Sequence, residues 1–351
     1  VTAPPELRDT TVLAINPMQP DSSLIEQAAA ILRNGGLVAF PTETVYGLGA
    51  DATDENAVDR IFVAKGRPST DPIIVHIAAL NQLEQVALDI PQLAYQLAER
   101  FWAGALTMIL KRAPTIPPNV SATLPTVAVR MPSHPVAHAL IAAAGTPVAA
   151  PSANTFSRPS ATTTQHVLDD LSGRINMILD GGSTPIGVES TVLDLTGQVP
   201  VVLRPGGVSL EALREIIPDL QLKSKYLGTD TLAVSPGQLI KHYSPRAEMC
   251  LYADEHAGNA MIAAAYERLA HGQRVGVLLL NSETTLWQSL NVILEALGDT
   301  LEEAAARLFA ALRSLDSQGV DVIFAHGYER DGLGAAIWDR LVRAAEGRVI
   351  V

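Results

Sequence analysis

The sequence predicts an α/β protein, an open twisted mixed sheet with helices followed by a smaller doubly wound α/β domain. Three observations carry that expectation. Over the first 220 of 351 residues, short apolar runs of strand length recur among helically spaced segments, without strict alternation. From residue 248 onward, strand-like and helical segments alternate cleanly over about 100 residues, a common domain size. Between these regions, Lys223–Pro245 loses apolar periodicity and ends in SPGQLIKHYSPR, which reads as a linker. The resulting division is 1–220, 221–246 and 247–351.

In chain order, Ser22–Asn34 places Leu24, Ile25, Ala28, Ile31 and Leu32 on one helical face and closes at Gly35-Gly36. The run Leu37–Phe40 is a strand stopped by Pro41, which cannot donate to a sheet ladder. It empties into Thr42, Glu43, Thr44 and Tyr46, then Gly47 and Gly49, whose missing side chains let backbone approach a ligand. Thr53 and Asp54 open a helix carrying Val58, Ile61 and Phe62. The loop Lys65–Pro72 feeds a strand over Ile73–Ile77, in which Ile74 and His76 share one face. A helix over Pro91–Trp102 and strands over Ala105–Leu110 and Val127–Met131 come next. Pro135–Ala144 is an alanine-rich helix, and Pro147–Ala150 a short strand running into PSAN. A helix over Thr164–Leu171 precedes strands at Met177–Leu179, within GVESTVLDL (187–195) and at Val201–Arg204. The second domain reads as strand 248–252, helix 256–271, strand 274–280, helix 299–315, strand 320–325, helix 334–346 and strand 348–351.

Composition excludes several classes. Hydrophobic residues make up 48% of the chain, enough for substantial cores. Apolar runs are strand-sized, so no membrane span is expected, and the first residues lack the basic and apolar regions of a secretory signal. The lone cysteine, Cys250, rules out an internal disulfide framework and a cysteine-rich zinc site, which makes the cytoplasm the expected location. The net charge of −12 argues against broad coating of nucleic acid. Residues 1–220 hold 13 Lys and Arg against 21 Asp and Glu, so any anion site there must be a local pocket.

GLGADA (47–52) fits a dinucleotide fingerprint in letters but not in placement, because PTETVY separates it from its strand. The P-loop, the zinc-protease helix motif and the nucleophile elbow are absent. What remains is a set of cations at strand ends and in Pro/Ser loops: Lys65, Arg67, Arg130, Arg158 and Arg204. Taken singly, each is readily a solvated or ion-paired side chain. Ser152, Asn154, Ser160, Ser190 and Thr191 stand beside them in turns. If the strand-end loops meet at one crevice, such a cluster suits a small polyanion, most simply a nucleoside triphosphate with magnesium.

The segments FPTETVYGLGADA, KGRPSTDPIIVHI, GALTMIL, VAVRMPSHP, PVAAPSANTFSRPSAT, GVESTVLDL, VLRPGG and HYSP, with GLGAAIWDRLVRAA near the end, resemble the two-domain form of the YrdC-type threonylcarbamoyl-AMP synthases. The resemblance implies a YrdC-like twisted sheet around a positively charged hollow, a linker folded over it, and a Rossmann-like C-terminal domain. It implies synthesis of threonylcarbamoyl-AMP and pyrophosphate from L-threonine, bicarbonate and ATP with Mg²⁺. The product would pass to a tRNA threonylcarbamoyl transferase complex, with weak direct tRNA contact a further expectation. L-threonine would be held by Thr44, His76, Arg130, the Ala150 backbone and Ser190. ATP would be contacted by Lys65, Arg67, Asp71, Thr126, Ser152, Asn154, Ser160, Arg204 and, from the linker, Tyr243. Lys65, Arg67 and His76 would carry the catalysis, with no resident metal ligands. No residue stands out in the sequence as a general base: Glu43 and His76 are candidates, and positioning alone is the alternative. Ala103 and Ala105 stand where the family usually shows prolines, and Asp71 where asparagine is common. The competing readings are an RNA- or tRNA-binding module without catalysis and a carbamoyl transfer enzyme, whose zinc-finger module the single cysteine excludes.

Overall fold

The computed structural model describes residues 9–223, 243–254 and 257–351. Most of the linker therefore lies outside the described residues, as does the start of the helix expected from 256. The first sheet uses β1 (Thr11–Ala14), β2 (Val38–Phe40), β3 (Gly47–Asp51), β4 (Ile74–His76), β5 (Ala87–Leu88), β6 (Leu106–Arg112), β7 (Thr126–Arg130), β8 (Val148–Ala149), β9 (Met177–Asp180), β10 (Thr191–Asp194), β11 (Val201–Arg204) and β12 (Gln221–Leu222). Their order is β1-β9-β2-β3-β8-β4-β7-β6-β10-β11-β12, with β5 on the outer part of β6. Parallel pairs such as β4–β7 and antiparallel pairs such as β6–β7 share the sheet, so it is mixed.

The helices begin and end where local chemistry dictates. Asp21 accepts from the backbone of Ser23 and Leu24 to open Ser22–Arg33, and Asp54 caps Glu55–Lys65. Gly66 closes that second helix at φ 64°, a left-handed conformation that costs glycine little. One apolar cluster, with Leu48, Val58, Ile61, Val75, Leu106 and Val129, fills the space between the sheet and its helices. A second joins the helices Ser22–Arg33 and Pro135–Ala144 to β2 and β9.

The second sheet is wholly parallel, in the order β15-β14-β16-β13-β17, with β13 at Glu248–Tyr252, β14 at Val275–Leu279, β15 at Ile293–Ala296, β16 at Val322–His326 and β17 at Val349–Ile350. It forms the expected doubly wound domain. The two regions do not merely sit in tandem. Val45 and Val188 of the first belong to the same buried cluster as Leu308, Phe309 and Leu312 of the helix Leu301–Ser317. Gly187 makes that approach possible: a Cβ there would lie 2.4 Å from the Ala305 carbonyl oxygen. None of the described helices is long and apolar enough to cross a membrane.

Candidate functional site

Strand register builds one wall of the site. In the ladder, His76 lies opposite Arg130, Arg130 opposite Thr107, Thr107 opposite Val192, and Val192 opposite Arg204. Paired residues project from the same face, so five strands set an imidazole and two guanidiniums in a single row. Beneath them on that face, Ile74, Ile109, Ala128 and Val192 form an apolar floor. The GVEST turn then adds Ser190, whose Oγ lies 2.7 Å from Thr107 Oγ1 and whose carbonyl accepts from Arg204 Nη2 at 2.9 Å.

Arg130 is buried and held from several directions. It donates to the Gly104 carbonyl (3.1 Å) and Thr44 Oγ1 (2.8 Å), and pairs with Glu43 at 2.6 Å. A guanidinium has five N–H donors, so capacity remains for a carboxylate ligand. Burial opposes ionisation of Glu43, but the charge and hydrogen bond of Arg130 prevail and hold its carboxyl below the usual range. Burial, reinforced by Arg130, drives His76 down to about 3, so its imidazole is neutral at physiological pH. His76 Nδ1 has no hydrogen-bond partner among the described residues.

The opposite wall comes from loops. Arg67 pairs with Asp71 at 3.0 Å and donates to the carbonyls of Asp71 (3.2 Å) and Pro72 (2.7 Å), which fixes the KGRPSTDP loop from inside. Lys65 is fully buried and donates through Nζ to the Ser152 and Asn154 carbonyls, tying that helix end to the PSAN turn. Burial, helped by Arg67, pushes the Lys65 amine well below its ordinary value. Together the walls enclose a cleft of about 520 Å³, counted with its open mouth, into which Tyr243 projects from the end of the linker.

Comparisons with known proteins show the family. Residues 30–206 match the family described as telomere recombination, that of the Sua5, YciO and YrdC proteins. Residues 208–346 match the family described as threonylcarbamoyl-AMP synthase, C-terminal domain. The threonylcarbamoyl-AMP synthase of Pyrococcus abyssi is 47% identical over 93% of this chain and 95% of its own length. The chain belongs to the threonylcarbamoyl-AMP synthase family. The Bacillus subtilis synthase is 46% identical over 93% of this chain and 94% of its own. The crystal structure of P. abyssi Sua5 complexed with L-threonine superimposes with a TM-score of 0.91, covering 97% of this chain and 99% of that one at 44% identity.

In this synthase the five residues expected on the threonine side, Thr44, His76, Arg130, Ala150 and Ser190, all line the cleft. Of the nucleotide set, Arg67, Ser152, Arg204 and Tyr243 line it too. Asp71, Asn154 and Ser160 stand behind that lining: Asp71 holds Arg67, Asn154 Nδ2 donates to Thr155 and Arg158 carbonyls, and Ser160 donates to Glu189 at 2.5 Å. Thr126 begins β7, four residues from Arg130 and about 13 Å away at the usual strand rise.

Three expectations change. Lys65 is a strut beneath the lining rather than a cation in the cleft, because its amine is consumed by two carbonyls. Arg158 leaves the cluster altogether and pairs with Asp316 of the C-terminal domain at 2.7 Å. Gly49 serves packing, since a Cβ there would lie 2.8 Å from the Phe40 ring, whereas Gly47 does line the cleft. GLGAD itself is a strand, which disposes of a dinucleotide turn. Of the two candidate bases, Glu43 is ion-paired with Arg130, and His76 is held neutral by its burial. Glu189 lines the cleft and was not anticipated, although its place in GVEST, beside two hydroxyl residues, was the available signal.

Proposed function

We propose that this synthase joins L-threonine, bicarbonate and ATP into threonylcarbamoyl-AMP, releasing pyrophosphate and water. The register row carries the proposal. It sets Arg130, with spare donors, and a neutral His76 beside Ser190, and places Arg204 three strands beyond Arg130 along the same row. Arg130 takes the threonine carboxylate, while Thr44, Ser190, His76 and the Ala150 backbone orient its hydroxyl and amine. The amine captures carbon dioxide or bicarbonate as a carbamate, whose oxygen attacks the ATP α-phosphorus and expels pyrophosphate. Arg67, Ser152, Arg204 and Tyr243 face the nucleotide, with Asp71, Asn154, Ser160 and Lys65 bracing them. For Thr126 the support is the family resemblance alone.

Positioning and fixed positive charge account for the acceleration. In this reading Mg²⁺ enters as part of the substrate MgATP. A carbamate hydrolyses in open water, and Tyr243 at the linker's end fits a cover that excludes it. In this reading 1–220 is the catalytic domain, 221–246 the cover and 247–351 the Rossmann-like domain, acting in the cytosol. The product goes on to a tRNA threonylcarbamoyl transferase complex. Pyrophosphate release is the test, with threonine and bicarbonate omitted in turn: release must require both, and release indifferent to threonine rejects the synthase reaction.

A further inference from the structure

We infer that Arg340, on the helix Gly334–Ala344 of the C-terminal domain, is a positioning residue for the nucleotide side of the cleft. It holds Glu189 neutralised there although its own domain supplies none of the described lining residues. The inference rests on the reading of this cleft as the ATP site and asks what the appended domain contributes to it.

Glu189 presents a difficulty for a triphosphate pocket, because it is a buried carboxylate in the lining itself. Left alone at that depth, its charge would repel the ligand strongly, since little water screens it. Both of its oxygens are instead occupied. Oε1 accepts from Ser160 Oγ at 2.5 Å, and Oε2 accepts from Arg340 Nε at 2.7 Å. Arg340 is fully buried and reaches two more parts of the same wall. Its Nη1 donates to the carbonyl of Pro205, the residue after Arg204, at 2.8 Å. Its guanidinium carbon lies 5.6 Å from the centre of the Tyr243 ring, within reach of a cation–π contact. Asp339, 2.9 Å from Nη1, also pairs with Arg343, so the helix brings two arginines for one carboxylate and its surplus positive charge meets Glu189. One side chain from the second domain thus braces the turns before β10 and after β11 and the linker's tyrosine.

The test is direct titration of the full-length chain with a non-hydrolysable ATP analogue and, separately, with L-threonine. Arg340→Met should weaken nucleotide binding by roughly tenfold or more while threonine affinity stays within about twofold. Adding Glu189→Gln, which removes the stranded charge, should recover most of the loss. A folded Arg340→Met with wild-type nucleotide affinity, or a double variant as weak as the single, overturns the inference. If Arg340→Met does not fold, the double variant decides: nucleotide affinity within about threefold of wild type supports the inference, and a tenfold loss overturns it. If neither folds, Arg340 serves the fold and the inference falls. A wild-type chain that binds nucleotide but releases no pyrophosphate rejects the synthase reaction and leaves this role of Arg340 standing.

Discussion

The sheet wall, which carries His76, Arg130 and, at its far end, Arg204, and the loop wall, which carries Arg67, Ser152 and Tyr243, close one cleft by different means. On the first, hydrogen-bonded strands fix the side chains: His76, Arg130 and Thr107 are neighbours by register, so their spacing follows from the pleat. On the second, loops set the geometry and need internal props, Lys65 under the PSAN turn, Asp71 under Arg67 and Arg340 behind Glu189. A small amino acid benefits from a rigid, preformed seat. A long, flexible triphosphate suits loops that can adjust around it.

That difference predicts where substitutions act. Arg130→Ala should have the largest effect. It removes the proposed carboxylate partner and strands buried Glu43, costing about 3–5 kcal/mol of stability and lowering kcat/KM for threonine by on the order of a thousandfold. Chemical unfolding and pyrophosphate release measure the two effects. Adding Glu43→Gln should restore much of the stability and little of the activity; recovery of both would mean that Arg130 only supports the fold. Arg67→Ala comes next, raising the ATP KM by roughly ten- to a hundredfold with the threonine KM within about twofold. Equal losses for both substrates would erase the distinction between the walls.

Legibility in the sequence follows the same division. Alternation along PIIVHI put His76 on the face of Ile74, and the cleft indeed holds both. Side chains on a strand obey a period, so pattern reveals their direction. Loops have no such period. KGRPST and PSANTFSRPS placed Lys65, Asn154, Ser160 and Arg158 near the site, but nothing in them separates a lining residue from the prop behind it. Missed strands have their own reasons. β3 is GLGAD, poor in β-formers and held by pairing with β2 and β8 on either side. β1 and β15 are edge strands without a strongly buried face. Arg340 was readable only as one of three charges on its helix, beside Asp339 and Arg343, and local pattern cannot say which of them has a buried partner in the other domain.

The sheet wall should also leave a mark on pH dependence. Folding lowers the His76 value from 6.5 to about 3, so between those limits the unfolded chain takes up a proton that the folded chain refuses. Stability is therefore full above pH 6.5 and falls as the solution is acidified toward 3. Well inside that window the contribution is roughly 1.4 kcal/mol per pH unit. His166, lowered to about 4, adds a parallel loss, so the informative quantity is the difference between wild type and His76→Asn in urea unfolding at pH 7, 6 and 5. The variant should lose less on acidification, and parallel curves would show that His76 takes a proton in the folded state.

The smallest effect is expected at Arg158, where sequence and structure disagree most sharply. By sequence it is one more cation beside PSAN, and a role in binding phosphate would make Arg158→Ala as harmful to ATP affinity as Arg67→Ala. By structure it faces the other way, onto Asp316 of the helix Leu301–Ser317. That carboxylate has other work, accepting from the backbone of Arg246 and Ala247 where the chain enters the second domain. Deleting a partly exposed arginine from such a pair should cost only about 0.5–1 kcal/mol. The seam keeps its apolar cluster and the buried Arg313–Asp170 pair. Arg158→Ala should therefore lower the melting temperature by a few degrees at most, with both KM values unchanged. A selective rise in the ATP KM would return Arg158 to the cleft and imply that the loop wall rearranges when nucleotide binds. An unchanged ATP KM with a small loss of stability assigns it to the joint between the domains, whose remaining contacts, Arg340 foremost, then connect the second domain to the reaction.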